Sequence, residues 1–425
     1  MTEQAPGLRI LYLVNAFPWP LTSGYLRHYF LIRELHRRGH RVSLLAIVPT
    51  DFGPSDRAAL EPFTERIVTV ASDRRGRSLR RRISGRIRSL VRGEAASRRL
   101  GEEAATLLRN VPHDVVLFSG KRTYPALRAA ADLPLVADLC DATSSRVRGS
   151  LRYARPARIP VLLVEYLEVR RIERALVKQA AHLLFASVRD RDALLDAPDR
   201  GRATVVSNGV DIDFWRRPDG VGLGRHEIVF TGAMDYPPNT DAALLLIGEI
   251  LPRVQAEIPD AHLSIVGRDP TAALVEAGRA AGVTVTGLVP DIRPYLAAAT
   301  VFAAPLRFGA GIQNKLLEAL AMDVPIVASP NAAAGLVTVD GARPPLTVAD
   351  GPEAFAAGIV EWLRTADADS TPLAVGRAYV ERNFGWTSSG ERLDMIVRDA
   401  AGSASDATES AADGSAADAT EAAPR

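Results

Sequence analysis

Lys315 and Glu318 lie three residues apart, just after Gly309, Ala310 and Gly311, in the run "APLRFGAGIQNKLLEALAMDVPIVAS". Three successive residues with nothing beyond Cβ let backbone amides approach a ligand closely. A bare loop feeding a helix N-terminus is an anion site, because free N–H groups and the helix dipole both favour negative charge there. The dipole contributes about 0.3–1 kcal/mol, or about 2 kcal/mol when partly buried, so a diphosphate also calls for a cation. Residues three apart share a helical face, which sets the Lys315 ammonium beside the Glu318 carboxylate. A carboxylate can accept hydrogen bonds from the vicinal hydroxyls of a ribose, as acids do in dinucleotide folds. Loop for phosphate, lysine for charge and glutamate for ribose together compose a nucleotide site. The same two residues also fit a plain surface ion pair worth about 0.3 kcal/mol.

A second cluster is thinner. "VADLCDATSS" sets Asp138 and Asp141 at the end of an apolar run. Active-site groups of parallel sheets collect at strand C-termini, although Asp141 serves equally well as an N-cap. Gly24, in "PLTSGYLRHY", precedes a helix and by itself reads as a glycine turn. No Asp-x-Asp metal motif is evident at a strand end.

These groups need a scaffold, and the hydrophobic pattern supplies one. Short β-branched runs at 10–14, 41–48, 66–70, 114–119, 134–140, 182–187 and 203–207 alternate with helical patterns. "SGYLRHYFLIRELHRRGH" is one such pattern, with apolar residues at Tyr25, Leu26, Tyr29, Phe30, Ile32 and Leu35. The alternation restarts with runs at 227–231, 262–266, 283–286, 301–304 and 325–328. Alternating strand and helix predicts βαβ units on a parallel sheet, here twice. The fold class is therefore α/β, with two doubly wound domains facing across a cleft that binds ligand at the strand C-termini. The expected organisation is a first domain over 1–207, a linker over 208–224 and a second domain over 225–380. A helix over 381–400 is expected to cross back to the first domain. The low-complexity acidic segment 401–425 is expected to be a disordered tail.

Composition narrows the setting. The 425 residues are 47% hydrophobic and 24% charged, with a net charge of +2. The single cysteine, Cys140, excludes a disulfide framework and a multi-cysteine zinc site. The N-terminus does not read as a signal peptide, and no apolar run reaches the roughly 18 residues of a membrane span. A cytoplasmic location is expected. Eleven arginines, Arg74 the first and Arg99 the last, crowd "RRGRSLRRRISGRIRSLVRGEAASRR", with Leu79, Ile83, Ile87 and Leu90 at helical spacing. That pattern fits a basic amphipathic helix on the anionic inner face of the plasma membrane. It fits equally a solvated helix capping the domain. No aromatic residue interleaves the arginines, which argues against nucleic acid.

"GAGIQNKLLEALAMDVPIVAS" resembles the second-domain signature of the retaining glycosyltransferases of family 4, which have the GT-B fold. Four further stretches match that family in order: "NAFPWPLTSGYLRHYFLIRELHRRGHRVSLL", "VVSNGVDIDFW", "IVFTGAMDYPPNTDAALLL", and "AHLSIVGRDP" with "VTVTGLVPDIRPYLAAATVFAAPL". The wording of "MDYPPNTDA" and "GIQNK" is similar to the subset associated with exopolysaccharide biosynthesis. The resemblance implies transfer of a hexosyl group, with retention, from a nucleoside-diphosphate sugar to a glycan or lipid-linked saccharide, with neither cofactor nor metal. It assigns donor binding to Gly24, Gly232, Gly309, Gly311, Gln313, Asn314, Lys315 and Glu318, with Glu318 on the ribose.

The departures from the family matter. Ala310 stands where a glutamate lies near the donor sugar. Ala233 and Pro238 replace an arginine and a lysine that contact the diphosphate. Cys140 and Asp141 replace a His-Asp pair. One charge pair at ~4 Å is worth about 4 kcal/mol at an effective dielectric of ~20, so the lost cations must be made good elsewhere. Lys315 is the first candidate to stabilise the leaving group, and Arg307 and Arg268 are the next. Any base role passes to Asp141. The alternatives are a nucleotide-sugar 2-epimerase of similar fold and a non-catalytic nucleotide-sugar-binding protein.

Overall fold

The computed structural model describes residues 6–21, 25–72, 95–154, 156–220, 222–309, 311–369, 371 and 374–420, with side chains up to residue 403. The first sheet contains β1 (Arg9–Val14), β2 (Arg41–Val48), β3 (Arg66–Ala71), β4 (Val115–Ser119), β5 (Leu135–Cys140), β6 (His182–Phe185) and β7 (Ala203–Val205). Its order is β3-β2-β1-β4-β5-β6-β7. The second contains β8 (Glu227–Thr231), β9 (His262–Val266), β10 (Thr284–Val285), β11 (Val301–Ala304), β12 (Ile326–Ala328) and β13 (Thr347–Val348), in the order β10-β9-β8-β11-β12-β13. Every pairing is parallel. Both sheets thus reverse strand order beside their first strand, between β1 and β4 and between β8 and β11. Such a switch point opens a crevice at the strand C-termini.

Parallel strands covered on both faces read as continuous apolar runs, which is why "RILYLV" and "RVSLLAIV" are legible. Ile10, Tyr12 and Val14 enter one core of the first domain and Leu11 and Leu13 enter the other, on the opposite face of the sheet. The second domain has one large core around Phe230, Phe302 and Leu316. The expected strands all form, with ends shifted by up to two residues. The two-residue edge strand β13 is additional, being too short to carry a period.

Eight helices carry the argument: α1 (Leu26–Arg37), α2 (Ala95–Asn110), α3 (Thr143–Ser150), α4 (Ile159–Gln179), α5 (Val188–Leu194), α6 (Pro237–Leu245), α7 (Asn314–Ala321) and α8 (Trp386–Thr420). Helix α8 returns to the first domain. Trp386 stacks on Phe30 at 4.7 Å, and Leu393, Ile396, Val397 and Ala400 complete the first domain's core. Gly209 makes the crossing close, since a Cβ there would lie 2.7 Å from the Trp386 ring. The helix runs on to Thr420, where a disordered tail is expected from 401. Alanine, the strongest helix former, recurs through that segment and continues the turn that α8 has already nucleated. The basic stretch lies outside the described residues as far as residue 94, and its remainder opens α2.

Candidate active site

The second domain presents α7 to the crevice. Its helix begins at Asn314, and the first amides of any α-helix have no partner within it. Leu316, Leu317 and Leu320 anchor the opposite face in the core, which leaves Lys315 and Glu318 half-buried on the accessible side. Lys315 Nζ donates to Asn239 Oδ1 at 2.5 Å and sits 4.5 Å from the centre of the Phe230 ring. A Cβ on Gly232 would come within 2.9 Å of that ammonium and 2.6 Å of Asn239 Nδ2. Glycine is therefore required at the end of β8, where φ is +155°. Among the described residues the Glu318 carboxylate has no hydrogen bond or ion pair. Burial lowers the Lys315 pKa to about 7, opposed by Glu318. Burial likewise raises Glu318 to about 7, opposed by Lys315. Two opposite groups that both sit near neutrality are cheap to recharge when a ligand supplies the missing partners.

The first domain supplies the facing wall. Asp141 follows β5, and a Cβ on Gly311 would lie 3.6 Å from the Asp141 Cβ, so the two loops touch. Lys121, just past β4, donates to Asp141 Oδ1 at 3.3 Å, to the Asp141 carbonyl at 2.8 Å and to Thr143 Oγ1 at 2.6 Å. It also pairs with the fully buried Glu173 of α4 at 3.2 Å. The Thr143 hydroxyl donates to Asp141 as well. Burial pushes the Asp141 carboxyl up, but Lys121, Arg146 and the Thr143 hydroxyl outweigh it and hold it below the usual carboxylate range. A carboxylate so well paired is a weak base, so the structure argues against the expected base role. The Cys140 thiol, pushed up to about 12 mainly by burial, is inert.

Asp138 is not a site residue. Arg27 of α1 grips it through two bonds, 2.7 and 3.0 Å, and donates further to the Val206 carbonyl and to Asn208 Oδ1. Asn208 Nδ2 then donates to Asn314 Oδ1 at 3.0 Å. One buried chain of bonds therefore runs from β5 through α1 and the linker to the start of α7.

The glycine loop departs from expectation. The Gly311 amide, expected to be free for phosphate, donates to Asp190 Oδ2 at 3.0 Å, and the Ala142 amide donates to Oδ1 at 3.2 Å. Arg189 donates to the Gly311 carbonyl at 3.0 Å and to the Asn331 carbonyl at 2.6 Å. Arg189 and Asp190 open α5, so the first domain fastens the glycine loop of the second. Gly311 has φ +74° and Gly309 has φ +154°, with Gln313 Nε2 3.6 Å from where a Gly309 Cβ would stand. An Asp-x-Asp pair does follow β6, as Asp190 and Asp192, but Asp190 is committed to this clamp and Asp192 to Arg191 and Arg200.

The reserve cations are spent. Arg307 makes a two-pronged pair with Asp241 of α6 and lies 4.5 Å over the Tyr153 ring. Arg268 pairs with its neighbour Asp269. Arg146 of α3 reaches across to within 6.0 Å of the Tyr236 ring. It is a cation at the crevice that sequence reasoning passed over. Gly24 lies outside the described residues.

The fold and its crevice have counterparts among known proteins. Residues 225–365 match the family described as "Glycosyl transferases group 1", and the two parallel sheets are of the GT-B type. The phosphatidyl-myo-inositol mannosyltransferase of Mycobacterium tuberculosis (strain ATCC 25618 / H37Rv) is 32% identical over 212 residues, 47% of this chain. The chain spans about half, 55%, of that relative's length. The lipopolysaccharide core biosynthesis mannosyltransferase LpcC of Rhizobium leguminosarum bv. viciae is 25% identical over 320 residues, 67% of this chain and 84% of that one. Among solved structures, Anabaena Alr3699/HepE in complex with UDP and glucose superposes with a TM-score of 0.63 at 14% identity, covering 92% of this chain and all of that one. That likeness is one of fold.

Proposed function

We propose that this chain is a retaining, metal-independent hexosyltransferase that uses a nucleoside-diphosphate sugar and acts on a glycan or lipid-linked acceptor in cell-surface polysaccharide synthesis. The observation that carries the reading is the Lys315–Glu318 pair: half-buried, in the first turns of a helix that opens on the crevice, each held near neutral pKa by burial. A diphosphate restores the charge on Lys315, and ribose hydroxyls donate to Glu318. The well-paired Asp141 suits a retaining transfer in which the leaving diphosphate itself takes the acceptor's proton on the same face, so no strong protein base is needed. The names of the relatives favour a mannosyl donor and a glycolipid acceptor. The basic stretch ending at Arg99 suits such an acceptor, presented at the inner face of the membrane.

The test is a thermal-shift panel of nucleoside diphosphates, with and without magnesium. A matched nucleotide at ~100 times its Kd adds about 2.7 kcal/mol of stability. Donor consumption and the product's anomeric configuration by NMR then decide the reaction. Absence of any nucleotide shift, or an inverted product, overturns the proposal.

A further inference from the structure

Helix α4 has an outer face that its own domain does not use. Leu167 is 65% exposed, Val161 and Val164 47% each, and Leu163 44%. Scattered exposed aliphatics are ordinary, but a cluster within two turns of one helix marks an interaction surface. Beyond Leu167 the same face turns basic, with Arg170, Arg171, Arg174 and Lys178 all exposed. Among the described residues none of these four is ion-paired, whereas most arginines elsewhere in the fold are. Arg152 and Arg158 stand exposed before the apolar turns. Residues 160, 164, 167, 171, 174 and 178 recur at intervals of three and four, which places them along one stripe of an α-helix. The helix, ~31 Å long at ~1.5 Å per residue, does not cross a membrane: no described helix is long and apolar enough to do so.

We infer that this face of α4 is a docking surface for an anionic lipid bilayer, with Val161, Leu163, Val164 and Leu167 entering the acyl boundary and the arginines and Lys178 lying on the headgroups. The charge pattern selects this occupant: unpaired cations beside aliphatics complement a surface that is anionic outside and apolar beneath. A partner copy would set these cations against themselves. The position gives the contact a purpose. The inner face of α4 carries Glu173, which holds Lys121 against Asp141 and accepts from the Ser144 amide at 3.3 Å. Just ahead of α4, Tyr153 stacks on Phe308 of the donor loop at 5.3 Å. A bilayer under α4 therefore lies at the acceptor side of the crevice. This inference rests on the lipid-linked acceptor proposed above and deepens it.

The experiment is co-sedimentation of the full chain with vesicles of phosphatidylcholine and phosphatidylglycerol in equal parts, against phosphatidylcholine alone. The chain is expected to partition onto the anionic vesicles, less so at high salt. The triple variant Leu163→Gln, Val164→Gln, Leu167→Gln is expected to lose at least tenfold in partition. Each of Arg171→Gln and Arg174→Gln is expected to lose about fivefold. These side chains are exposed, so circular dichroism and nucleotide binding stay as in the unaltered chain. Vesicle binding is read without turnover, so a failed transferase assay and a failed docking assay are separate results. Equal partition of the triple variant overturns the inference. So does a dimer on size exclusion that Leu167→Gln dissociates, which would assign the face to a second copy.

Discussion

The two walls of the crevice are built on opposite electrostatic terms. On the first-domain wall Asp138, Asp141, Lys121 and Glu173 are each matched to an opposite charge within 3.3 Å. On the second-domain wall Lys315 has only a neutral amide and an aromatic face, and Glu318 has no partner among the described residues. A wall whose charges are ion-paired holds shape, even with Glu173 Oε2 left without a hydrogen bond among the described residues. A wall left unsatisfied is poised to bind, and this is the arrangement by which perturbed pKa values mark functional positions.

The largest expected effect breaks the first wall. Asp138→Ala strands a buried guanidinium, which costs about 3–5 kcal/mol of stability, read as a fall in the urea midpoint. Burial disfavours the Arg27 charge, and Asp138 more than restores it, so a milder loss would mean that the first wall is not built on matched charge. Next comes Lys315→Ala. Turnover is expected to fall about a hundredfold or more, as when one preorganised electrostatic contact is removed, while the urea midpoint holds or rises because a poorly solvated amine is gone. Wild-type turnover would end the proposal that Lys315 stabilises the leaving group. Glu318→Gln comes third. It should weaken a ribonucleoside diphosphate about tenfold, the scale of one hydrogen bond to a charged group, and leave a 2′,3′-dideoxy analogue unaffected in calorimetry. Equal losses for both ligands would remove Glu318 from the ribose.

The smallest effect sharpens the contrast. Above pH ~7 Lys315 loses its proton and its attraction for diphosphate. Below pH ~7 Glu318 gains one and accepts from hydroxyls only as a weaker, neutral acid. Nucleotide affinity should therefore peak near neutrality and fall a few-fold on either side. Because bound diphosphate raises the Lys315 pKa, binding at pH 8 should take up a proton, measurable as a buffer-dependent heat.

Much of the scaffold was legible because parallel strands advertise themselves as apolar runs, and much of α7 because its motif is contiguous. What stayed hidden is long-range. Lys121 meets Asp141 and Glu173, Arg27 meets Asp138, and Asp190 meets Gly311, across separations of 20 to 121 residues that no local period encodes. Arg307 stands in the sequence as a candidate cation because Asp241, 66 residues earlier, gives no sign of claiming it. Lys121 was within reach: it follows a strand C-terminus, the same rule that singled out Asp141. Asn239 stands beside Pro238, the position read for a lost lysine, and takes the role of holding Lys315 without adding charge.

Asp190 has one more consequence. Its carboxylate already occupies the Gly311 amide, so the chain carries a tethered anion on the peptide group where a diphosphate would be received. A nucleotide that claims that amide must evict the tether, which is also one of the bonds that join the first domain to the second. Admission of the donor and loosening of the two halves would then be a single competitive exchange.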